Sequence, residues 1–174
     1  MDSDSTHVAQ LTPAGRGAIA TLLLTGGQAV DIASEFFHPA SGRPLADIPI
    51  GKIAFGIWRG GAEQTGEELV VCRTRQREIQ IHCHGGRAAI EAIRKSLVDA
   101  GCVTATWQDV AKTNSTGVIT AEARIGLAAA ATERTAGILL DQLNGALENT
   151  LRTIVKDLAD GEVHSARELL NALT

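Results

Sequence analysis

The sequence has no tyrosine, and aromatic residues make up 3% of it. Single-strand nucleic-acid binders stack bases on several exposed rings, so that class is excluded. An excess of positive charge is missing as well: 16 Lys+Arg stand against 20 Asp+Glu, a formal net charge of −4. Bulk charge therefore does not hold this chain to nucleic acid, although a local basic patch could still meet a specific partner. No apolar run approaches the roughly 20 residues that span a membrane. Cysteine is scarce and odd in number. Cys72, Cys83 and Cys102 are widely spaced, and no charged-then-apolar leader precedes them, so they read as reduced, mostly buried thiols of a soluble cytoplasmic protein. No GxxxxGK[ST] run occurs, which removes the P-loop route to a nucleotide triphosphate, and Gly15 and Gly17 around Arg16 do not form a GxGxxG dinucleotide turn. CxxC and HExxH spacings are absent too. His82 and His84 share one face of a strand but lack further ligands, and Cys83 points away from both. We assign no metal site and no catalytic residue.

What is present is a chain of 174 residues, enough for one domain and part of a second. Strand signals come first. Thr6 to Leu11 reads as a strand ended by Pro13, and the turn Thr12 to Ala20, TPAGRGAIA, runs into an apolar strand over Ala18 to Leu24. A helix from about Gln28 follows, burying Val30, Ile32, Ala33 and Phe37, until His38-Pro39 breaks it. Ser41 to Pro49 is loop. Lys52 to Trp58 alternates through Ile53, Phe55 and Ile57, a strand with one wet face. Glu68 to Arg73 is the next strand, and Arg73 to Arg77 is a concentrated basic run, read either as a solvated turn or as a phosphate contact.

Ile79 to Arg87, IQIHCHGGR, organises this first region. Ile79 and Ile81 alternate with Gln80 and His82, and after Gly85 and Gly86 a helical period brings Ile90, Ile93 and Leu97 onto one face. Glu91 and Lys95 form an i,i+4 pair, and Gly101 supplies the stop. A strand that ends in two glycines and opens a helix N-terminus is either a tight turn or a dock for an anionic group. Cys102 to Trp107 is expected as a final strand. The fold class is α+β, a mixed α/β sheet domain over 1–118 followed by an all-α segment over 119–174. In the latter, Thr120 caps a short helix, Thr132 a longer one running through Leu140 to Leu158, and Ser165 to Glu168 is a capping box for the last.

The two glycine turns, TPAGRGAIA and IQIHCHGG, together with AEARIGLAAAATERTAGILLDQLNGAL over 121–147, resemble the MnmE/TrmE family of tRNA-modification GTPases, which act on the wobble uridine. The resemblance runs in order over nearly the whole chain. It implies that 1–118 is the family's N-terminal domain, related to folate-binding aminomethyltransferase domains, which dimerises and holds 5-formyl-tetrahydrofolate as one-carbon donor. It also implies that 119–174 begins the helical domain, with the GTP-binding GTPase domain absent from this chain, so that the chain is a fragment or a shortened relative. Homodimerisation, tRNA and a flavoprotein are the implied partners, and no membrane. Carried over residue by residue, Gly15, Arg16, Gly17 and Ala18 from the first turn and His82, His84, Gly85 and Gly86 from the second are the candidate folate-binding residues.

Three departures accompany the likeness. Leu23 stands where the family's first long strand carries arginine, Arg75 to Glu78 bridges directly where a SYTGED-type loop is expected, and 108–118 replaces the family's usual lead into the helices. They support a second reading, a dimerisation scaffold that has lost its folate. A third, a stand-alone aminomethyltransferase-like enzyme, lacks an obvious catalytic group.

Overall fold

The computed structural model describes residues 5–15, 17–60, 66–115 and 117–173. The chain divides into two compact units, Met1–Asp109 and Val110–Thr174.

The first unit is built on a mixed sheet of seven strands. They are β1 (His7–Gln10), β2 (Ile19–Thr25), β3 (Phe37–Pro39), β4 (Ile53–Trp58), β5 (Glu67–Arg75), β6 (Glu78–His84) and β7 (Val103–Thr104). Their spatial order is β3-β4-β5-β6-β2-β1-β7. All neighbours are antiparallel except β1 and β7. Helices α1 (Ala29–Phe36) and α2 (Arg87–Asp99) pack against β6 and against each other. The α+β class with a helical segment is therefore what the chain adopts.

The core lies on the helix-covered face. Leu22, Leu24, Val71, Ile79, Ile81 and Leu97 are fully buried there. Strand β6 follows its sequence pattern: Ile79, Ile81 and Cys83 point in, while Gln80, His82 and His84 face the other way. Burial pushes the Cys83 thiol up to about 11, with the nearby Glu67 carboxylate adding to the shift. Helix α2 also reads as expected. Ile90, Ile93 and Leu97 are buried, and Gly101 ends the helix in the left-handed region at φ +95°. Its surface charges pair differently, as Glu91–Arg94 and Lys95–Asp99 rather than Glu91–Lys95.

Several expectations fail for tertiary reasons. Phe37 does not close a helix; it begins β3, pairing with Trp58, and the buried ring is held there by the sheet. On β4 the alternation is inverted. Ala54, Gly56 and Trp58 face the helices, while Ile53 is 72% and Phe55 52% exposed. The large Trp58 ring takes the core position, stacks on Phe36 with centroids 5.5 Å apart, and by strict two-residue alternation sends Ile53 and Phe55 outward. The final strand shrinks to Val103–Thr104, and Trp107 instead starts a helix, α3 (Trp107–Thr113). A 3-10 turn, Leu45–Asp47, lies in the expected loop and buries Leu45.

In the second unit, α4 (Val118–Ala128), α5 (Glu133–Leu143), α6 (Ala146–Ala159) and α7 (Val163–Asn171) follow one another. Thr132 caps α5 as expected, its hydroxyl accepting from the Thr135 N–H. Thr120 is inside α4 rather than at its cap, and donates to Glu148. The long helix is broken at Asn144–Gly145, where Gly145 adopts φ +91°. Ser165 lies within α7 and donates to Asp157. Few side chains of these helices are buried, and Ile138, Leu140, Val155, Leu158 and Leu170 are exposed. Among the described residues no helix is long and apolar enough to cross a membrane.

Trp58 and Ser96 join the sheet to α2. The buried indole N–H donates to the Ser96 hydroxyl at 3.0 Å, and that hydroxyl donates to the Ile93 carbonyl at 2.8 Å. Ser96→Ala strands the indole N–H, and it should lower stability by about 1–3 kcal/mol. Urea unfolding checks this, with a lower midpoint at unchanged slope.

Candidate functional site

The two glycine turns meet. The backbone N–H of Gly85 donates to the Ala18 carbonyl at 3.0 Å, continuing the β2–β6 register that pairs Ile19 with His84. The approach leaves no space for a side chain: a Cβ on Gly85 would lie 2.1 Å from the Gly17 carbonyl oxygen. Gly15 sits at φ +138°, a conformation that favours glycine. The turn after β1 is held from both sides. The Gln10 amide donates to the Thr12 carbonyl at 3.0 Å, and the Thr12 hydroxyl accepts from the Thr21 N–H at 3.2 Å.

Between the turns lies a hollow of about 240 Å³. Gln10, Thr12, Gly15, Gly17 and Gly85 supply its polar and backbone wall, and Ile19 and Ile90 its apolar one. The N-cap of α2 is Gly86, with no side chain capping the free N–H groups of the first turn. The hollow thus combines backbone donors and acceptors, one amide side chain and an aliphatic wall, a lining suited to a flat polar ring.

Of the residues singled out in the sequence, Gly15, Gly17, Ala18 and Gly85 are brought together, and Gly86 adjoins them. Arg16 lies outside the described residues. The two histidine side chains do not line the hollow. His82 faces across the sheet, its Nδ1 3.1 Å from the Thr21 hydroxyl, and burial lowers its pKa, which favours the neutral ring. His84 Nδ1 contacts the Glu67 carboxylate at 2.5 Å on an exposed rim. Gln10, Thr12, Ile19 and Ile90 escaped sequence reasoning. Thr12 belongs to the first motif and could have been included; Gln10 at a strand end carries no such signal. Among the described residues no cluster of three or more His, Cys, Asp or Glu is placed to hold a metal.

A larger groove of about 500 Å³ runs between α4 and α6, lined by Ile119, Leu151 and Val155. Hydrogen bonds from Arg152 and Thr120 hold the Glu148 carboxyl on its rim below the usual range. Its apolar floor continues the exposed helix surface, so it reads as packing surface.

No family model matches the chain. The tRNA modification GTPase MnmE of Geobacillus kaustophilus (strain HTA426) is 32% identical over 180 aligned residues, covering 94% of this chain and 39% of that protein. The protein of the same name from Geobacillus thermodenitrificans (strain NG80-2) is 31% identical with the same coverage. That of Oceanobacillus iheyensis (strain HTE831) is 28% identical, over 94% of this chain and 38% of that protein. The chain spans about two fifths of the length of the curated relatives it matches.

The contact between the turns makes a paired test. Gly85→Ala drives its methyl into the Gly17 carbonyl and should cost about 1–3 kcal/mol. Gly86→Ala, with φ −75° and nothing within 4 Å of an added Cβ, should stay within about 0.5 kcal/mol. Thermal melts of both variants decide it, and equal losses would contradict the close approach.

Proposed function

The chain belongs to the MnmE/TrmE family, as a divergent form of its N-terminal region, and on that footing we propose that it is the folate-binding, dimerising part of a tRNA-modification GTPase. The hollow between Gly15, Gly17 and Gly85 receives 5-formyl-tetrahydrofolate, the one-carbon donor for wobble-uridine modification. GTP binding and hydrolysis belong to a domain outside this sequence, since the sequence contains no P-loop motif. The reading places the protein in the cytoplasm, with tRNA and a flavoprotein as partners.

The observation that carries the folate reading is the convergence of the two turns on one cradle, an approach too close for a Cβ at Gly85. The lining fits the head of the molecule. A reduced pterin has an amide-like edge of donors and acceptors and a flat body, which match the polar groups of Gln10, Thr12 and the two glycine turns and the Ile19 and Ile90 wall. At about 240 Å³ the hollow is smaller than the roughly 300–1,000 Å³ of pockets that enclose a drug-sized ligand. One subunit therefore encloses a ring-sized part of a folate.

Dimerisation is supported by the uncovered sheet face. Ile53 and Phe55 stand next to Cys72 and Val70 on β5 in register, and Val70 pairs with His82. This row of apolar side chains includes two that are more than half exposed, which is the mark of a surface with a partner.

Saturation with 5-formyl-tetrahydrofolate at about 100-fold over its dissociation constant should stabilise the protein by about 2.7 kcal/mol, read as a rise in melting temperature. No rise at saturation removes the folate and leaves the scaffold reading in its place. For the dimer, Phe55→Asp should convert the species seen by light scattering from dimer to monomer without changing the circular dichroism, because the ring is 52% exposed. A monomeric wild type, or a variant that stays dimeric, would remove this face as the interface.

A further inference from the structure

We propose that His82 makes the association of two copies through the open sheet face sensitive to acid: the neutral imidazole admits a second copy, and the protonated one expels it. This rests on the dimer reading above and names what regulates that face. His82 stands in the middle of it. Strand register sets Phe55 of β4 beside Val70 of β5, Val70 beside His82 of β6, and His82 beside Thr21 of β2. The row therefore runs from aromatic ring to aliphatic, imidazole and hydroxyl across four neighbouring strands. Phe55 is 52% exposed, and Val70, His82 and Thr21 are partly buried.

Nothing around the imidazole balances a positive charge on it. Its Nδ1 lies 3.1 Å from the Thr21 hydroxyl. Among the described residues no carboxylate forms an ion pair with it. On β5, Glu68 and Cys72 lie two positions to either side of Val70. On β2, Ile19 and Leu23 flank Thr21 in the same way, and on β6 itself the flanking residues are Gln80 and His84. Glu68 is exposed and pairs in register with Ile57, while Glu67 is engaged by His84. The other titratable groups of this face lie towards its ends, His38 next to Ile57 at one and Glu78 next to Arg75 at the other.

In a single copy the partly buried ring keeps some contact with water, which accommodates a proton. Under a second copy that contact is lost, and a buried cation without a counter-charge is strongly disfavoured. Burial already lowers the His82 pKa in the single chain, and covering the face lowers it again. Association is therefore complete above the pKa of the single copy, which lies below the ordinary imidazole value of 6.5, and is lost as the pH falls through it. Each dimer covers two such rings, so its dissociation constant rises by up to about 100-fold per pH unit in that range.

The test is sedimentation velocity of the full chain over a concentration series at about pH 7.5 and about pH 5.0, either side of the imidazole range, with far-ultraviolet circular dichroism at both. The wild type should be dimeric at the higher pH. At the lower one its dissociation constant should rise at least about tenfold, with the helical signal unchanged. His82→Asn does not titrate, and its amide oxygen replaces Nδ1 opposite Thr21; it should show one dissociation constant at both pH values. His82→Phe should do the same without the hydrogen bond. His38→Gln should respond to pH as the wild type does. A wild type equally dimeric at both pH values, or a pH response that survives in both His82 variants, overturns the inference and leaves the dimer standing. Loss of the helical signal together with the dimer at low pH also overturns it, since the event is then unfolding. A wild type that is monomeric at the higher pH removes the interface itself, and this inference with it.

Discussion

The hydrogen bond from Gly85 to Ala18, made across a gap too narrow for a Cβ, is the constraint on which the site depends. It is the last rung of the β2–β6 ladder, and it comes where both strands leave the sheet. Because Gly17 and Gly85 carry no side chains, the outgoing turns stay in contact instead of diverging, and the start of α2 is held at the floor of the resulting hollow. A side chain at position 85 would separate the turns and open the cradle. The same rung aligns Thr21 with His82 and Ile19 with His84, so the positions of both histidines follow from it.

The sheet has two unlike faces. One is sealed by α1 and α2 over a row of fully buried aliphatic side chains. The other, across β4 to β6, keeps Ile53, Phe55, Val70 and Cys72 at least partly in solvent beside the neutral-leaning His82. Trp58 decides this division. Its ring needs the covered face, where Phe36 stacks on it and Ser96 accepts its N–H, and alternation then places the aliphatic residues of β4 outside. An apolar surface is thereby produced by satisfaction of the core. The helical unit shows a related imbalance, with amphipathic helices whose apolar sides remain largely exposed.

Helices α2 and α6 carry charge pairs one turn apart, Glu91–Arg94, Lys95–Asp99, Glu148–Arg152 and Lys156–Asp160, which are worth little energetically when exposed. At the end of the sheet where β5 turns into β6, Arg75 pairs with Glu78. The hollow and the open face are separate surfaces of one sheet, and each is positioned by strand register.

Local pattern was enough for much of this. The alternation of Ile79, Ile81 and Cys83, the helical period of Ile90, Ile93 and Leu97, the stop at Gly101 and the cap at Thr132 were all legible, because each depends on neighbours within a turn or a strand. The two glycine motifs were legible as turns, and in their order they identified the family. What local pattern could not reveal was which side of β4 faces the core, because Ile53–Phe55–Ile57 and Ala54–Gly56–Trp58 both alternate and the choice rests on Phe36 and Ser96, distant in sequence. Nor could it show that Phe37 pairs with Trp58 or that Gly145 divides the long helix. Proximity of residue 17 to residue 85 is likewise a product of long-range strand pairing: the sequence determined that each bend would form, and the tertiary fold determined that they would touch.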